Sequence, residues 1–96
     1  NGPFDPMSVE VYDWVARKTP PDSVLIFYKA RVMRLMTNHP SIMINQCDGM
    51  LKGDYLILSK KVGKNNQVPP EEIGSCNLLL DKELENRRFV IYKILK

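Results

Sequence analysis

The chain has 96 residues, of which 44% are hydrophobic and 26% are charged, and this fits one globular domain with a single small core. The composition excludes wholly disordered, collagen-like and coiled-coil classes. Fourteen Lys and Arg against eleven Asp and Glu give a net charge of +3, an excess too small to require a nucleic-acid or anionic-lipid partner or to exclude one.

The first predicted elements are a helix and a strand. The helix covers about 6–18, where Asp5 is suited to cap its start and Pro6 to occupy its first position. The proline pair at 20–21 ends it, because proline disfavours helical geometry in the residue before it. The apolar run over 23–28 is typical of a strand covered on both faces, which predicts a central parallel strand.

A second helix and two further strands follow. Apolar residues at helical spacing predict a short helix over 29–38, and the brief apolar run over 41–44 predicts a second strand. A turn or a single helical turn is expected over 45–53. The apolar run over 55–59 predicts the third strand. A right-handed strand–helix–strand unit fits 23–44.

The last third of the chain is mostly polar before a final strand. Residues 61–70 are rich in turn formers and predict an exposed loop, after which a short helix is expected to begin at Pro70. Three leucines at 78–80 lead into a charged run over 81–88, for which no regular element is predicted. The apolar run over 89–95 predicts the last strand.

Together these elements predict one α/β domain over residues 1–96. We expect a small, mostly parallel sheet of about four strands with helices packed on it. The last strand is expected to run antiparallel, at the sheet edge or against the third strand. The predicted core combines the inner face of the first helix with the strand residues Val24, Leu25, Ile26, Phe27, Leu56, Ile57, Leu58 and Ile91.

Cysteine and histidine are too scarce to predict a metal or cofactor site. Cys47 and Cys76 are the only cysteines and lack the spacing of a redox or zinc motif, so a single bridge between them is one possibility. His39 is the only histidine. We therefore expect no metal and no cofactor. The sequence also has no apolar run long enough to span a membrane and no signal-peptide pattern.

No catalytic residue is predicted. The carboxylates lie in loops, at helix ends or in the charged run, where carboxylates are normally solvated. Neither cysteine is flanked by a turn that would form an oxyanion hole. The aromatic residues are not interleaved with basic ones as an RNA-binding sheet requires, so no nucleic-acid partner is expected. We expect no enzymatic activity from these residues alone.

Basic residues follow the first and third predicted strands and are the candidate binding site. Ligands of open α/β sheets bind at the carboxyl ends of strands, where helix N-termini add partial positive charge. If these two strands are parallel, their basic residues lie at one edge and could bind a phosphate or an anionic headgroup. The alternative is that they are solvated strand ends, since no glycine-rich phosphate loop accompanies them. The candidates are Lys29, Arg31, Arg34, Lys60 and Lys61, with Lys64 further along the loop.

Several phrases of the sequence occur in a recognisable order. A Trp-containing helix ends in Thr-Pro-Pro-Asp-Ser-Val at 19–24, a basic phrase follows at 29–32, Asp-Tyr opens the strand at 54–58, and Phe-Val-Ile-Tyr-Lys-Ile lies at 89–94. In this order they resemble the soluble C-terminal domain of polytopic membrane glycosyltransferases, similar to the dolichyl-phosphate-mannose-protein mannosyltransferases and related lipid-linked sugar transferases. The resemblance covers about 12–60 and 88–94.

The resemblance implies a non-catalytic, extracytoplasmic domain of a membrane-bound glycosyltransferase that uses a lipid-phosphate-linked sugar, on the periplasmic side if the source is bacterial. Its implied partners are the membrane-embedded portion of the same chain and an anionic lipid or polyprenyl-phosphate headgroup, which it would help to position. The family's catalytic acids lie in membrane loops, so none is carried over. A start at Asn1 without Met favours either a piece excised from a longer protein or a tag remnant at the front, and the resemblance implies that the longer protein is a membrane protein. The alternative function is a free-standing α/β interaction or small-anion-binding module.

Overall fold

The computed structural model of the protein describes residues 4–62 and 65–96. In these ranges it contains the helices α1 (Pro6–Lys18) and α2 (Ala30–Thr37) and the strands β1 (Leu25–Ile26), β2 (Ser41–Ile42), β3 (Tyr55–Ser59), β4 (Leu79–Glu85) and β5 (Phe89–Leu95). Two 3-10 helices cover Met50–Lys52 and Pro70–Cys76. No helix in the described ranges has the length and apolar character needed to cross a bilayer.

The strands form one five-stranded sheet with the order β2-β1-β3-β5-β4. β1 is parallel to β2 and β3, whereas β5 runs antiparallel to β3 and β4. The predicted α/β class and the antiparallel last strand, placed against the third strand, are confirmed. The prediction of a mostly parallel sheet of about four strands is wrong, because the sheet is mixed and has a fifth strand.

The fifth strand is β4, which lies in the region predicted as a charged run. Most of its side chains are exposed, and only Leu80 and Leu84 are half-buried. The register shifts between Lys82 and Leu84, so Leu80 and Leu84 pack on opposite faces of the sheet although they are four positions apart. The bulge removes the alternation of apolar and polar residues that identifies a strand in a sequence. Because β4 lies at the edge of the sheet, its charged side chains stay in water.

The sheet is covered on both faces. On one face, which we call the helical face, α1 and α2 pack over residues that include Leu25, Ile57 and Ile91. On the other, the 3-10 face, the two 3-10 helices and the loop before Pro70 cover residues that include Leu56 and Leu58. Seven of the eight strand residues predicted for the core are buried. The exception is Val24, which is partly exposed because it precedes β1.

The loop over 61–70 departs from the prediction of an exposed segment. Gln67, Val68 and Pro69 are buried. The side-chain amide of Gln67 pairs with the backbone of Ser59, accepting from its N–H at 2.9 Å and donating to its carbonyl oxygen at 2.6 Å. Gln67 thus replaces a strand neighbour at the end of β3, which holds the loop against the 3-10 face.

A disulfide joins Cys47 and Cys76. Cys47 precedes the first 3-10 helix, and Cys76 ends the second. The bond therefore links the two short segments that cover the 3-10 face. It also excludes both sulfur atoms as thiol nucleophiles in this state.

Candidate anion-binding site

The carboxyl ends of β1, β2 and β3 meet at one edge of the sheet, which we call the carboxyl edge, because these strands are parallel. The turn between β4 and β5 lies at the same edge, since Phe89 pairs with Ser59 at the end of β3. The start of α1 lies there too, because Asn86 in this turn donates to the carbonyl oxygen of Met7 at 3.2 Å. The opposite side is the amino edge.

An apolar hollow of about 370 Å³ lies at the carboxyl edge beside the start of α2. We call it the α2 hollow. Lys29 and Arg31 are exposed at its rim, and the Lys29 ammonium lies 5.6 Å from the ring centroid of Tyr28, a cation–π contact. The hollow is lined by Tyr28, Lys29, Ala30, Arg31, Val32 and Met43. Two of the five predicted binding residues therefore share one cavity.

Arg34 lies outside the lining of the α2 hollow. α2 starts at the carboxyl edge and runs back along the sheet, so a residue one turn further on lies about 5 Å from the edge. The Arg34 guanidinium donates from Nη1 to the carbonyl oxygen of Ser41 at 2.5 Å, and Ser41 is the first residue of β2. The charge of Arg34 is thus held toward the amino edge.

Lys60 and Lys61 lie at the carboxyl edge beyond β3, outside the lining of the α2 hollow. Lys60 forms an ion pair with Glu85 at 2.5 Å, and Lys82 contacts the same carboxylate at 2.7 Å. Hydrogen bonds from Lys60 and Lys82 lower the pKa of Glu85 to about 2. Lys61 is exposed and has no ion pair within the described ranges. Lys64 lies outside the described residues.

Behind the hollow, Asp5 and Arg88 form a half-buried ion pair at 2.5 Å. Asp5 also caps α1 as predicted, accepting hydrogen bonds from the backbone N–H groups of Met7 and Ser8. Burial raises the pKa of Asp5, but the hydrogen bonds from Ser8 and Arg88 outweigh it, so this pKa lies well below its ordinary value. Burial raises the pKa of Tyr28, and the nearby Arg88 guanidinium partly opposes this.

Sequence reasoning missed Arg87 and Arg88 as residues of this edge. Both follow β4, which it did not predict, so nothing placed them beside the end of β3. Within the described ranges, Arg87 is exposed and forms no ion pair. The signal that could have found them is the turn before the last strand, at Asn86, whose side-chain oxygen accepts from the backbone N–H groups of Arg88 and Phe89.

His39 lies away from this edge and has a structural environment. It is buried, its Nδ1 donates to the carbonyl oxygen of Thr37 at 2.7 Å, and its Nε2 lies 2.9 Å from the hydroxyl oxygen of Thr19. Within residues 4–62 and 65–96, no three His, Cys, Asp or Glu side chains are grouped as metal ligands would be.

Comparison with known proteins adds no relative to this picture. No family model matches the chain, and neither does any curated protein or solved structure.

Proposed function

We propose that this chain is a non-catalytic domain that binds a phosphate-bearing lipid headgroup at the α2 hollow. The observation that carries the proposal is the pairing of an apolar cavity with two exposed cations, Lys29 and Arg31, at its rim. A prenyl phosphate has matching chemistry, because its hydrocarbon part suits the walls and its phosphate suits the cations. The start of α2 adds partial positive charge on the same side.

We infer further that the domain belongs to a membrane-bound glycosyltransferase that uses a lipid-phosphate-linked sugar, and that it lies on the extracytoplasmic side. The ordered phrases at 19–24, 54–58 and 89–94 support the first statement. The disulfide between Cys47 and Cys76 supports the second, since disulfides persist in oxidising compartments. The membrane-embedded portion of the same chain would be its partner, and the domain would position the headgroup for it.

Titration with three probes tests the binding. Farnesyl phosphate carries both parts of the ligand, farnesol only the hydrocarbon and inorganic phosphate only the anion. We expect farnesyl phosphate to bind most tightly, and more weakly as salt rises, because exposed charges are screened. Equal affinity for farnesyl phosphate and inorganic phosphate would instead support a small-anion-binding module.

A double variant, Lys29→Ala with Arg31→Ala, should lower the affinity for farnesyl phosphate by at least about tenfold, because a hydrogen bond to a charged group contributes about 1.5 kcal/mol or more. The control is Lys18→Ala with Lys52→Ala, which removes two exposed cations at the amino edge and leaves the same net charge. Unchanged affinity in the first variant, or an equal loss in both, would exclude the α2 hollow as the site.

A further inference from the structure

Two large apolar side chains project from the carboxyl edge. Phe4, just before α1, is 79% exposed, and Met43, just after β2, is 46% exposed. Phe4 is placed at this edge by its neighbour Asp5, which pairs with Arg88 in the turn before β5. Met43 lines the α2 hollow. Met43 therefore belongs to the binding site proposed above, and Phe4 lies along the same edge.

The unpaired charge of this edge is mostly basic. Two of its acids are neutralised, since Asp5 pairs with Arg88 and Glu85 pairs with both Lys60 and Lys82. A third acid, Glu10, accepts a hydrogen bond from Asn86 at 2.8 Å and forms no ion pair within the described ranges. Against this one acid, four basic side chains of the described residues at this edge form no ion pair, and they lie on three connections: after β1, after β3 and before β5. They are Lys29, Arg31, Lys61 and Arg87.

We propose that the carboxyl edge rests on an anionic bilayer, with Phe4 and Met43 entering the headgroup region and the unpaired cations facing anionic lipids. The proposal deepens the function proposed above, since the α2 hollow would then open toward the lipid. Exposed apolar residues surrounded by cations have the composition of surfaces that bind membrane interfaces, where each cation near an anionic surface strengthens binding about fivefold.

Charge distinguishes this edge from a second exposed apolar region. At the amino edge, Leu51, Leu79 and Leu95 are 61%, 71% and 43% exposed around a groove of about 430 Å³ beside the disulfide. Asp48 lines that groove and offsets the charge of exposed Lys52, the neighbour of Leu51, and the cation among the lining residues, Lys96, is paired with Asp54 at 3.2 Å. An anionic bilayer therefore favours the carboxyl edge.

Co-sedimentation with vesicles of phosphatidylcholine containing about one third phosphatidylserine tests the proposal. The variant is Phe4→Ser with Arg87→Ser, which changes one exposed apolar residue and one cation outside the lining of the α2 hollow. We expect its partition to these vesicles to fall by more than about fivefold, the effect of the lost cation alone. The matched control at the amino edge, Leu51→Ser with Lys52→Ser, should bind like the parent.

Tryptophan fluorescence shows directly which edge of the protein faces the bilayer. In Phe4→Trp, the added indole should shift to shorter wavelength on these vesicles and be quenched by brominated lipid. In Leu51→Trp, the added indole should do neither. Trp14 contributes the same background to both variants. An equal response from the two variants would overturn the proposed orientation.

The outcomes separate this proposal from the binding of a prenyl phosphate. If Phe4→Ser with Arg87→Ser loses vesicle binding but keeps its affinity for farnesyl phosphate, the edge has a role of its own and the proposal is supported. If the parent binds vesicles through this edge but does not bind farnesyl phosphate, the α2 hollow is excluded as a prenyl-phosphate site. Membrane binding by the carboxyl edge is then still supported. A parent that does not bind anionic vesicles, or a variant that binds them as well as the parent, would overturn the proposal.

Discussion

The two faces of the sheet bury similar side chains by different means. On the helical face, α1 and α2 cover the core, and polar contacts hold α1 at both ends: Asp5 with Arg88 at its start, and Thr19 with His39 at its end. On the 3-10 face, the cover consists of two short 3-10 helices and a loop. There a covalent bond between Cys47 and Cys76 links the covering segments.

The difference follows from what each segment can supply by itself. A helix of 13 residues such as α1 satisfies most of its own backbone hydrogen bonds, so it needs only an apolar face and caps to pack on a sheet. A 3-10 helix of three or seven residues satisfies few of them and has poorer hydrogen-bond geometry. We infer that the disulfide compensates for this deficit by limiting how far the short segments can separate.

The largest expected losses of stability come from cavities made on the two faces of the sheet, and they test this contrast. Ile57 and Leu58 are neighbours in β3, each 1% exposed, with isomeric side chains that point to opposite faces. Either change to Ala should lower the free energy of unfolding by about 2 to 5 kcal/mol, through lost burial and the cavity left behind. We expect the smaller loss at Leu58, because irregular cover can collapse into a cavity more readily than packed helices can.

Denaturant unfolding of both variants measures these losses, with exposed Lys61→Ala as the surface control. A loss at Leu58 larger than that at Ile57 would contradict the idea that the 3-10 face is the more adaptable one. A shift at either site no larger than that of the control would mean that β3 is wrongly placed in the core.

Removal of the disulfide is expected to cause the next largest loss in the free energy of unfolding. The bond spans 29 residues, so Cys47→Ser with Cys76→Ser should lower the free energy of unfolding by about 3 to 4 kcal/mol on the loop-entropy estimate. Amide exchange should accelerate most at the two 3-10 helices, because they are the segments that the bond links. The amides of α1 should accelerate only as far as global stability falls. Equal local acceleration in α1 would show that the faces are not independently supported.

The sequence predicts the helical face better than the 3-10 face, and the reason is physical. Asp5 and Pro6 signal the start of α1 locally, and the apolar residues of α1 recur at helical spacing, so nearby residues suffice. The 3-10 face depends on distant pairings, such as Gln67 with the backbone of Ser59 and Cys47 with Cys76. No local pattern specifies which distant residues will meet.

The same distinction applies to the candidate site. Lys29 and Arg31 share the α2 hollow because they flank the start of one helix, which the sequence indicates. Spacing along the chain also predicts Arg34 at this site, but the direction of α2 carries it toward Ser41. Arg87 reaches the carboxyl edge only through β4, whose bulge hides its alternation. Spacing along the chain therefore predicts neighbours within an element and misses those that an edge strand brings in.

The smallest predicted effect concerns pH, which should act on the helical face through Asp5. The pKa of Asp5 in the folded protein is lowered by hydrogen bonds from Ser8 and Arg88, which outweigh the effect of burial. A lowered folded pKa means that the ionised carboxylate stabilises the fold. This stabilisation is fully present above the unfolded pKa of about 4 and is lost as the pH falls through the folded value.

Asp5→Asn isolates this charge, because an asparagine oxygen can still cap α1 while the ion pair with Arg88 is lost. Near neutral pH the variant should unfold at a slightly lower denaturant concentration than the parent, and the difference should shrink as the pH falls below about 4. The disulfide-free variant should show no such convergence with its parent, since cysteine thiols do not titrate in this range. A constant difference for Asp5→Asn across acid pH would show that the carboxylate acts only as a cap. The charge of Asp5 would then contribute nothing on the helical face, where hydrogen bonds alone would hold α1, whereas a covalent bond links the cover of the 3-10 face.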